Sequence, residues 1–410
     1  MKIAQIAPLS ERVPPTAYGG TEIIVSLLTD ELVRRGHEVT LFASGDSQTL
    51  AHLESCCPKG LREAQASSVE IPVYQSQQLN RVFNQAGKFD LIHSHIGEVV
   101  FPYVNRVKTP TLHTVHGIIP AQIEQLWRDA RQQNFISISN SQRRNDLQLN
   151  YLATVYNGID TDRYHFYPEP DNPPYLAFLG RMSPEKGPQL AIEIAKRTGW
   201  HLKMAGKIDP VDREFFQNRI EPLIDGQQIE FLGEFNHQQK CPLLGNAVAT
   251  LFPITWSEPF GLVMAESMAV GTPVIAIAMG STFEVIEDGK TGFLGHNVEE
   301  CIAALERIRE IERFACRDRA VAKFSVERMV DDYEAVYQKL LTKQSLDNNR
   351  VTNLVIIEPP IGKTEGFPYR LLTRQNRSYA PARTPLLGCL ITGAPTAIYH
   401  LASLLIFFQV

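Results

Sequence analysis

The chain has 410 residues, enough at roughly 100–200 residues per domain for two or three domains. Hydrophobic residues make up 44% and charged residues 21%, proportions of a soluble globular protein that can bury real cores. Forty basic against 45 acidic side chains leave a net charge of −5, which excludes the broad basic surface of a general nucleic-acid binder.

The opening MKIAQIAPLSERVPP carries one Lys and a short apolar run broken by Pro8. A signal peptide needs a longer apolar core and a small-residue cleavage site, so a cytoplasmic location is expected. Lys2–Ala7 predicts a short buried strand, followed by a Pro-rich loop ending in Tyr18-Gly19-Gly20. Thr21 is placed to cap a helix, with Ile24, Leu27, Leu28, Glu31 and Leu32 mostly at helical spacing and Gly36 as its stop. Glu38–Phe42 returns as a strand, and Thr49–Gln77, with adjacent Cys56 and Cys57, reads as irregular loop with a short helix or strand. Further β-like runs lie at Leu91–His93, Thr111–Val115, Phe135–Ser139 and Ala153–Tyr156, several of them separated by helix-compatible segments. That alternation predicts a parallel sheet covered on both faces. Ligands bind such sheets beyond the carboxyl ends of the strands, where Gly19, Gly20, His95, His116 and Asn140 fall.

Asp160–Pro174 contains Pro168, Pro170, Pro173 and Pro174 and reads as a linker. A second alternation follows, with strands near Tyr175–Leu179, His201–Ala205, Ile229–Leu232, Ala249–Phe252 and Pro273–Ala276. The expected organisation is an α/β fold of two parallel-sheet domains, 1–168 and 169–325, facing each other across a cleft. A last helix, Val326–Leu341, comes next, and an extension spans 345–410. Leu386–Val410, at 25 residues, is apolar and long enough to cross a bilayer. Arg370, Arg374, Arg377 and Arg383 before it would keep the preceding domains on the cytoplasmic side. Gly388, Gly393 and Pro395 interrupt the run, so a helix docked on the protein, or a tail unrelated to catalysis, is the alternative to membrane contact.

Two stretches carry chemistry. In Trp256–Ser267, Pro259 suits the first turn of a helix, with Ser257 or Glu258 as cap. Gly261 would let a bulky ligand approach the free N–H groups of a helix start, which attracts phosphate. Glu258 would sit at the mouth and Glu266 about two turns along, each carboxylate able to accept from two sugar hydroxyls. Taken alone, the pair of acids reads as a capping glutamate and a solvated helix glutamate. In Phe178–Gly187 a strand ends in Gly180, and Arg181 and Lys186 sit in the loop beyond it. Two such cations can neutralise a diphosphate, Arg as a planar fork and Lys as a point charge. Taken alone they read as solvated loop residues, with Glu185 as a local partner.

Together the two stretches resemble a known pattern. Glu258 and Glu266, seven residues apart, match the E-x7-E signature of retaining family-4 (group 1) glycosyltransferases, whose two Rossmann-like domains form the GT-B fold. Gly19-Gly20-Thr21-Glu22 is similar to that family's N-terminal glycine loop, and Thr114-Val115-His116-Gly117 to its His-bearing strand end. Ser139-Asn140-Ser141, Asn157-Gly158-Ile159-Asp160, Gly180-Arg181 through Lys186-Gly187, and Gly271-Thr272-Pro273-Val274 complete the order, so the resemblance covers about residues 1–342.

The resemblance implies an enzyme that moves a sugar from a nucleotide-diphosphate donor to an acceptor sugar, lipid or small molecule. Arg181 and Lys186 would hold the diphosphate, with no metal or other cofactor required. Glu258 would bind donor-sugar hydroxyls beside the backbone N–H groups of Phe260, Gly261 and Leu262, and Glu266 the ribose. His116 would approach the sugar, Gly19, Gly20 and Gly180 would border the donor, and His95 and Asn140 would lie on the acceptor side. The alternatives are a same-fold phosphorylase or sugar-nucleotide epimerase, or a non-catalytic protein that binds nucleotide sugars.

His93, His95, His113 and His116 invite a zinc reading, but no Cys or helical His pair completes a site. The six cysteines (56, 57, 241, 301, 316 and 389) show no CxxC spacing, which argues against a zinc ribbon or disulfide scaffold. Gly289-Lys290-Thr291 and Gly362-Lys363-Thr364 lack the glycine five positions earlier that a phosphate loop requires, and read as turns. Without a GxGxxG, a nicotinamide dehydrogenase is disfavoured.

Overall fold

The computed structural model describes residues 1–16 and 19–353, with side chains as far as Lys343 and at Leu346. The first 160 residues build a seven-stranded, wholly parallel sheet from β1 (Lys2–Ile6), β2 (Glu38–Ala43), β3 (His52–Ser55), β4 (Leu91–Ser94), β5 (Thr111–Val115), β6 (Asn134–Ser137) and β7 (Tyr151–Thr154), in the order 3-2-1-4-5-6-7. A second parallel sheet has β8 (Tyr175–Leu179), β9 (His201–Ala205), β10 (Ile229–Phe231), β11 (Ala249–Phe252), β12 (Val274–Ile277) and β13 (Gly292–Gly295), in the order 10-9-8-11-12-13.

Both sheets are doubly wound, with the strand order reversing between β1 and β4 and between β8 and β11. Ligands of such sheets collect at that reversal, because adjacent loops there diverge to opposite faces. Gly19-Gly20 follows β1 and His95 follows β4. Gly180–Lys186 follows β8, and Trp256–Gly261 follows β11.

The strand cores agree with the apolar runs, since strands covered on both faces need apolar side chains on both. The edges differ. β7 begins at Tyr151, two residues before the apolar pattern suggests, and its pairing with β6 shifts register between Phe135 and Ile136. β13 is an edge strand whose apolar content is Phe293 and Leu294 between two glycines, too little for periodicity to show. The stretch after Thr49 yields β3 and most of a 15-residue helix, Glu70–Asn84.

Asp160–Pro174 forms no strand, and it is fastened rather than slack. Tyr164 is buried, Tyr167 N–H donates to Val270 O (2.9 Å), and Arg313 Nε donates to Tyr167 O (2.7 Å). Gly271, at φ +95°, leaves room for the Phe166 ring; a Cβ there would lie 2.7 Å from it.

The last helix, Val326–Asn353, returns the chain to the first sheet. Val326, Met329, Val330, Tyr333, Val336, Tyr337 and Leu340 form a stripe of helical spacing buried among Ile3, Ile24, Leu28, Leu91 and Leu112. Outside that stripe, Arg35 pairs with Asp331 (2.7 Å) and Glu334 (2.6 Å).

Candidate active site

On the second domain, two glycines let the strand ends close on one another. A Cβ on Gly206, beyond β9, would fall 1.7 Å from Gly180 O, and one on Gly187 (φ +72°) would fall 1.9 Å from Pro253 O. The loop carrying Lys186 is thereby held against the loop after β11, with Thr255 N–H donating to Glu185 O (2.9 Å). Lys186 Nζ then sits 2.5 Å from Glu258 Oε2 and 4.9 Å from the centre of the Trp256 ring, while Trp256 Nε1 donates to the same oxygen at 2.8 Å. Residues 72 apart in sequence meet as a cation, a carboxylate and an indole.

The helix expected to start at Pro259 starts at Leu262 and runs to Ala269. Neither Ser257 nor Glu258 caps it. The cap is Gly261 at φ +76°, and no side chain bonds the first turn. A Cβ on Gly261 would meet Met264 at 2.8 Å and Phe252 at 2.9 Å, so the left-handed turn and the crowding both require glycine. Phe260 buries its ring against Tyr156 and Phe324, and its carbonyl accepts from Ser281 Oγ at 2.8 Å. Met264 N–H donates to Gly261 O (3.0 Å) and no side chain caps the turn, so the N–H groups of Leu262 and Val263 are the helix-start donors an anion would meet.

Glu266 is not a solvated glutamate. It is 5% exposed, and one oxygen accepts from Tyr164 Oη (2.9 Å) and pairs with Lys240. Arg181, which taken alone read as a solvated loop residue, is 8% exposed and ringed by Glu185, Asp209 (3.6 Å) and Asp212 (3.5 Å), with Lys207 Nζ 2.9 Å from Asp209. Burial raises the Asp212 carboxyl above its usual range, against the pull of Arg181.

The first domain faces this with glycine backbone, the buried Glu22 carboxyl and neutral histidines. Its first helix spans Gly20–Arg34 and is capped by the backbone of Gly19, not by Thr21, with Ile23 N–H donating to Gly19 O (3.0 Å). Pro15 occupies the space a Cβ on Gly19 would need, and a Cβ on Gly20 would lie 4.0 Å from Leu262 Cδ1. Leu262 packs on the apolar clusters of both domains. The starts of the two helices, each entered through glycine, thus approach across the cleft.

His116, beyond β5, is partly exposed and places Nε2 2.8 Å from His95 Nδ1. His95 is 4% exposed, and its other nitrogen lies 2.9 Å from Gln5 Oε1. It stands behind His116, which is the more exposed of the two. Burial depresses the pKa of His93, His95, His113 and His116, to about 3 for the last two, so all four are neutral at pH 7. Asn140, expected with His95 on the acceptor side, is held by Glu284 of the second domain. Its backbone N–H and its side-chain Nδ2 both donate to Oε2 at 2.8 Å, Ser141 N–H donates to Oε1 (2.8 Å), and Tyr156 Oη adds a fourth bond at 2.9 Å. One carboxylate clamps the two domains together.

Sequence reasoning missed Trp256, Asp209, Asp212, Lys240, Tyr164 and Glu284. The only signal for the first was its place two residues before Glu258. The others lie on separate loops and helices that the fold brings together, so spacing carries no trace of them. Among the described residues no group of three or more His, Cys, Asp or Glu side chains could hold a metal, and no helix is long and apolar enough to cross a membrane. Leu386–Val410, its flanking arginines and Gly362-Lys363-Thr364 lie outside the described residues, as does Tyr18. Gly289-Lys290-Thr291 is a turn, with Lys290 on Glu287 at 3.1 Å.

Comparison with known proteins agrees with this geometry. The profile described as "Glycosyltransferase Family 4" matches residues 18–163, and "Glycosyl transferases group 1" matches residues 161–320. The alpha-maltose-1-phosphate synthase of Mycolicibacterium smegmatis is 26% identical over 82% of this chain and 99% of its own. Among solved structures, sucrose-phosphate synthase from Thermosynechococcus elongatus superposes with a TM-score of 0.70 at 19% identity, over 84% of this chain and 100% of that one. Anabaena HepE in complex with UDP-glucose gives 0.64 at 18% identity, over 83% and 100%. Two parallel-sheet domains of the GT-B kind, matched in order by both halves of the family, lead to one conclusion: this chain belongs to the family-4, group 1 glycosyltransferases.

Proposed function

We propose that the protein transfers a sugar, with retention of anomeric configuration, from a nucleoside-diphosphate sugar to an acceptor hydroxyl, and that the chemistry runs without a metal. The observation that carries this reading is the Lys186–Glu258 pair at 2.5 Å, set beside the uncapped helix start at Leu262. An incoming diphosphate competes for Lys186 and takes the N–H groups of Gly261 and Leu262. Glu258, relieved of its cation, turns its oxygens to hydroxyls of the donor sugar, with Trp256 Nε1 still holding one of them. Arg181 and Lys186 offset the charge that grows on the leaving diphosphate, the task a metal performs elsewhere. Glu266, fixed by Tyr164 and Lys240, accepts from the ribose hydroxyls.

Gly19, Gly20 and Gly180 border the donor, and His116 meets the sugar from the first domain. Asn140 keeps the Glu284 clamp. Same-face attack, with the leaving phosphate helping to deprotonate the acceptor, gives retention. A phosphorylase would depend on phosphate, a sugar-nucleotide epimerase would bind the same donor without passing its sugar to an acceptor, and a pure binding protein would bind the donor without turnover. HepE was solved with UDP-glucose, which makes UDP-sugars the first donors to try.

The test is a thermal-shift screen of the full chain against UDP, GDP, ADP and TDP and their sugar conjugates, with and without Mg²⁺. A ligand at a hundred times its dissociation constant adds about 2.7 kcal/mol, a visible rise in Tm. The expected result is a shift with one base, indifferent to Mg²⁺ and lost in Lys186→Ala and Glu266→Ala. No shift with any nucleotide would overturn the reading.

A further inference from the structure

Beneath His116 a chain of hydrogen bonds runs through the first domain to the last helix. Gln5, on β1, is wholly buried; its Oε1 lies 2.9 Å from His95 Nε2 and its Nε2 donates to Tyr337 Oη at 3.4 Å. Tyr337 Oη is 2.7 Å from His93 Nδ1, His93 Nε2 is 2.8 Å from Thr114 Oγ1, and Thr114 Oγ1 is 3.0 Å from Tyr333 Oη. Gln5, His93, Tyr333 and Tyr337 are all 0% exposed. A core of aliphatic residues at these positions would pack as well, and each buried polar atom here is costly unless it is bonded.

The direction of the chain follows from what each atom can do. With the Gln5 amide oxygen toward His95 and its nitrogen toward Tyr337, His95 carries its proton on Nε2 and presents a bare Nδ1 to His116. His116 Nε2 must then be the protonated nitrogen, donating to His95, and its Nδ1 is left bare. On the other branch the Gln5 amide donates to Tyr337, whose hydroxyl proton goes to His93 Nδ1, and His93 Nε2–H donates to Thr114. Every ring stays neutral, in keeping with its burial. His116 has no second hydrogen bond among the described residues, and its ring is partly open to the cleft.

We infer that Gln5, His95 and Tyr337 are positioning residues that lock His116 as its Nε2–H tautomer, leaving Nδ1 as an acceptor for a hydroxyl of the bound sugar. The last helix is then part of the catalytic apparatus by way of its Tyr337 hydroxyl, and not only a strap across the first domain. The catalytic consequence rests on the transferase reading; the tautomer itself does not.

The experiment is ¹⁵N NMR of the full chain labelled at histidine, in which protonated and bare ring nitrogens are well separated, with His116 assigned by its loss in His116→Asn. Native protein should show His116 bare at Nδ1 and protonated at Nε2 from pH 6 to 8. Gln5→Leu and Tyr337→Phe should give a mixture of tautomers. Tyr333→Phe, which removes a like hydroxyl from the same helix but beyond Thr114, should leave His116 unchanged. With a donor in hand, Gln5→Leu and Tyr337→Phe should lower kcat about five- to tenfold, the scale of one hydrogen bond, without changing nucleoside-diphosphate affinity. A native His116 protonated at Nδ1, or a tautomer unmoved in both variants, overturns the inference whether or not the chain turns over a donor. Absence of turnover with the tautomer as stated would overturn the transferase reading alone.

Discussion

On the second domain's side of the cleft the polar groups are charges already paired: Lys186 with Glu258, Arg181 with Glu185, Asp209 and Asp212, and Lys240 with Glu266. On the first domain's side His116, His95, Gln5 and Tyr337 are joined in one neutral chain, beside glycine backbone at the start of the first helix and the buried carboxyl of Glu22. The difference matches the two ends of a nucleotide sugar. On the proposed reading a diphosphate would be met by cations that internal pairing already holds in place. A sugar or acceptor hydroxyl is recognised by neutral groups of fixed tautomer, and a charge beside it would attract water and ions instead.

The comparison breaks most visibly if the charged half is cut. Lys186→Ala should lower kcat/KM about 100-fold or more, because the charge it stabilises grows in the transition state. Initial rates at several donor concentrations check this, and a change confined to KM would mean that Lys186 serves binding alone.

The neutral half has a pH signature. His93, His95, His113 and His116 have folded pKa values depressed by burial, so the unfolded chain takes up protons that the folded chain refuses. Their contribution to stability is fully present above the unfolded value of about 6.5. As pH falls below it, each histidine removes about 1.4 kcal/mol per pH unit. Tm should fall steeply between pH 7 and 5, where carboxylates remain ionised; a flat profile would mean that these histidines are protonated in the folded state.

Joining the halves, Glu284→Ala removes four hydrogen bonds to one carboxylate and should cost about 2 kcal/mol. Amide hydrogen exchange at Asn140 and Ser141 should speed up while exchange at β5 does not. The smallest effect concerns the Arg181 cage. Asp212→Asn lightens the competition for Arg181 and should tighten nucleoside-diphosphate binding about threefold by calorimetry. Weaker binding would show that the carboxylate orients Arg181 and does not restrain it.

Much of this was legible beforehand. Thr111–Val115, Tyr175–Leu179, His201–Ala205 and Ala249–Phe252 are strands at the limits their apolar runs suggest, because a strand covered on both faces leaves a plain mark. Motif order singled out Glu258, Glu266, Arg181 and Lys186, and the fold sets them in the segments that follow β8 and β11. The start of the Leu262 helix was not legible, because Pro259 and Ser257 suit a helix entrance in general while burial of the Phe260 ring and the turn at Gly261 decide this one. Nor was the state of the charges. That Arg181 sits in an acid cage and Glu284 bridges two domains depends on loops far apart in sequence, and local pattern does not report on them.

The account turns on Lys186 and Glu258 forming a donor site that reacts with retention. The most direct measurement follows, by proton NMR, the first anomer formed when full chain meets an α-linked nucleoside-diphosphate sugar, for native protein and for Glu258→Ala. The account predicts an α product from native protein and a rate at least about 30-fold lower in the variant, the scale of a charged contact worth about 2 kcal/mol. A β product, or an undiminished rate without Glu258, would contradict it.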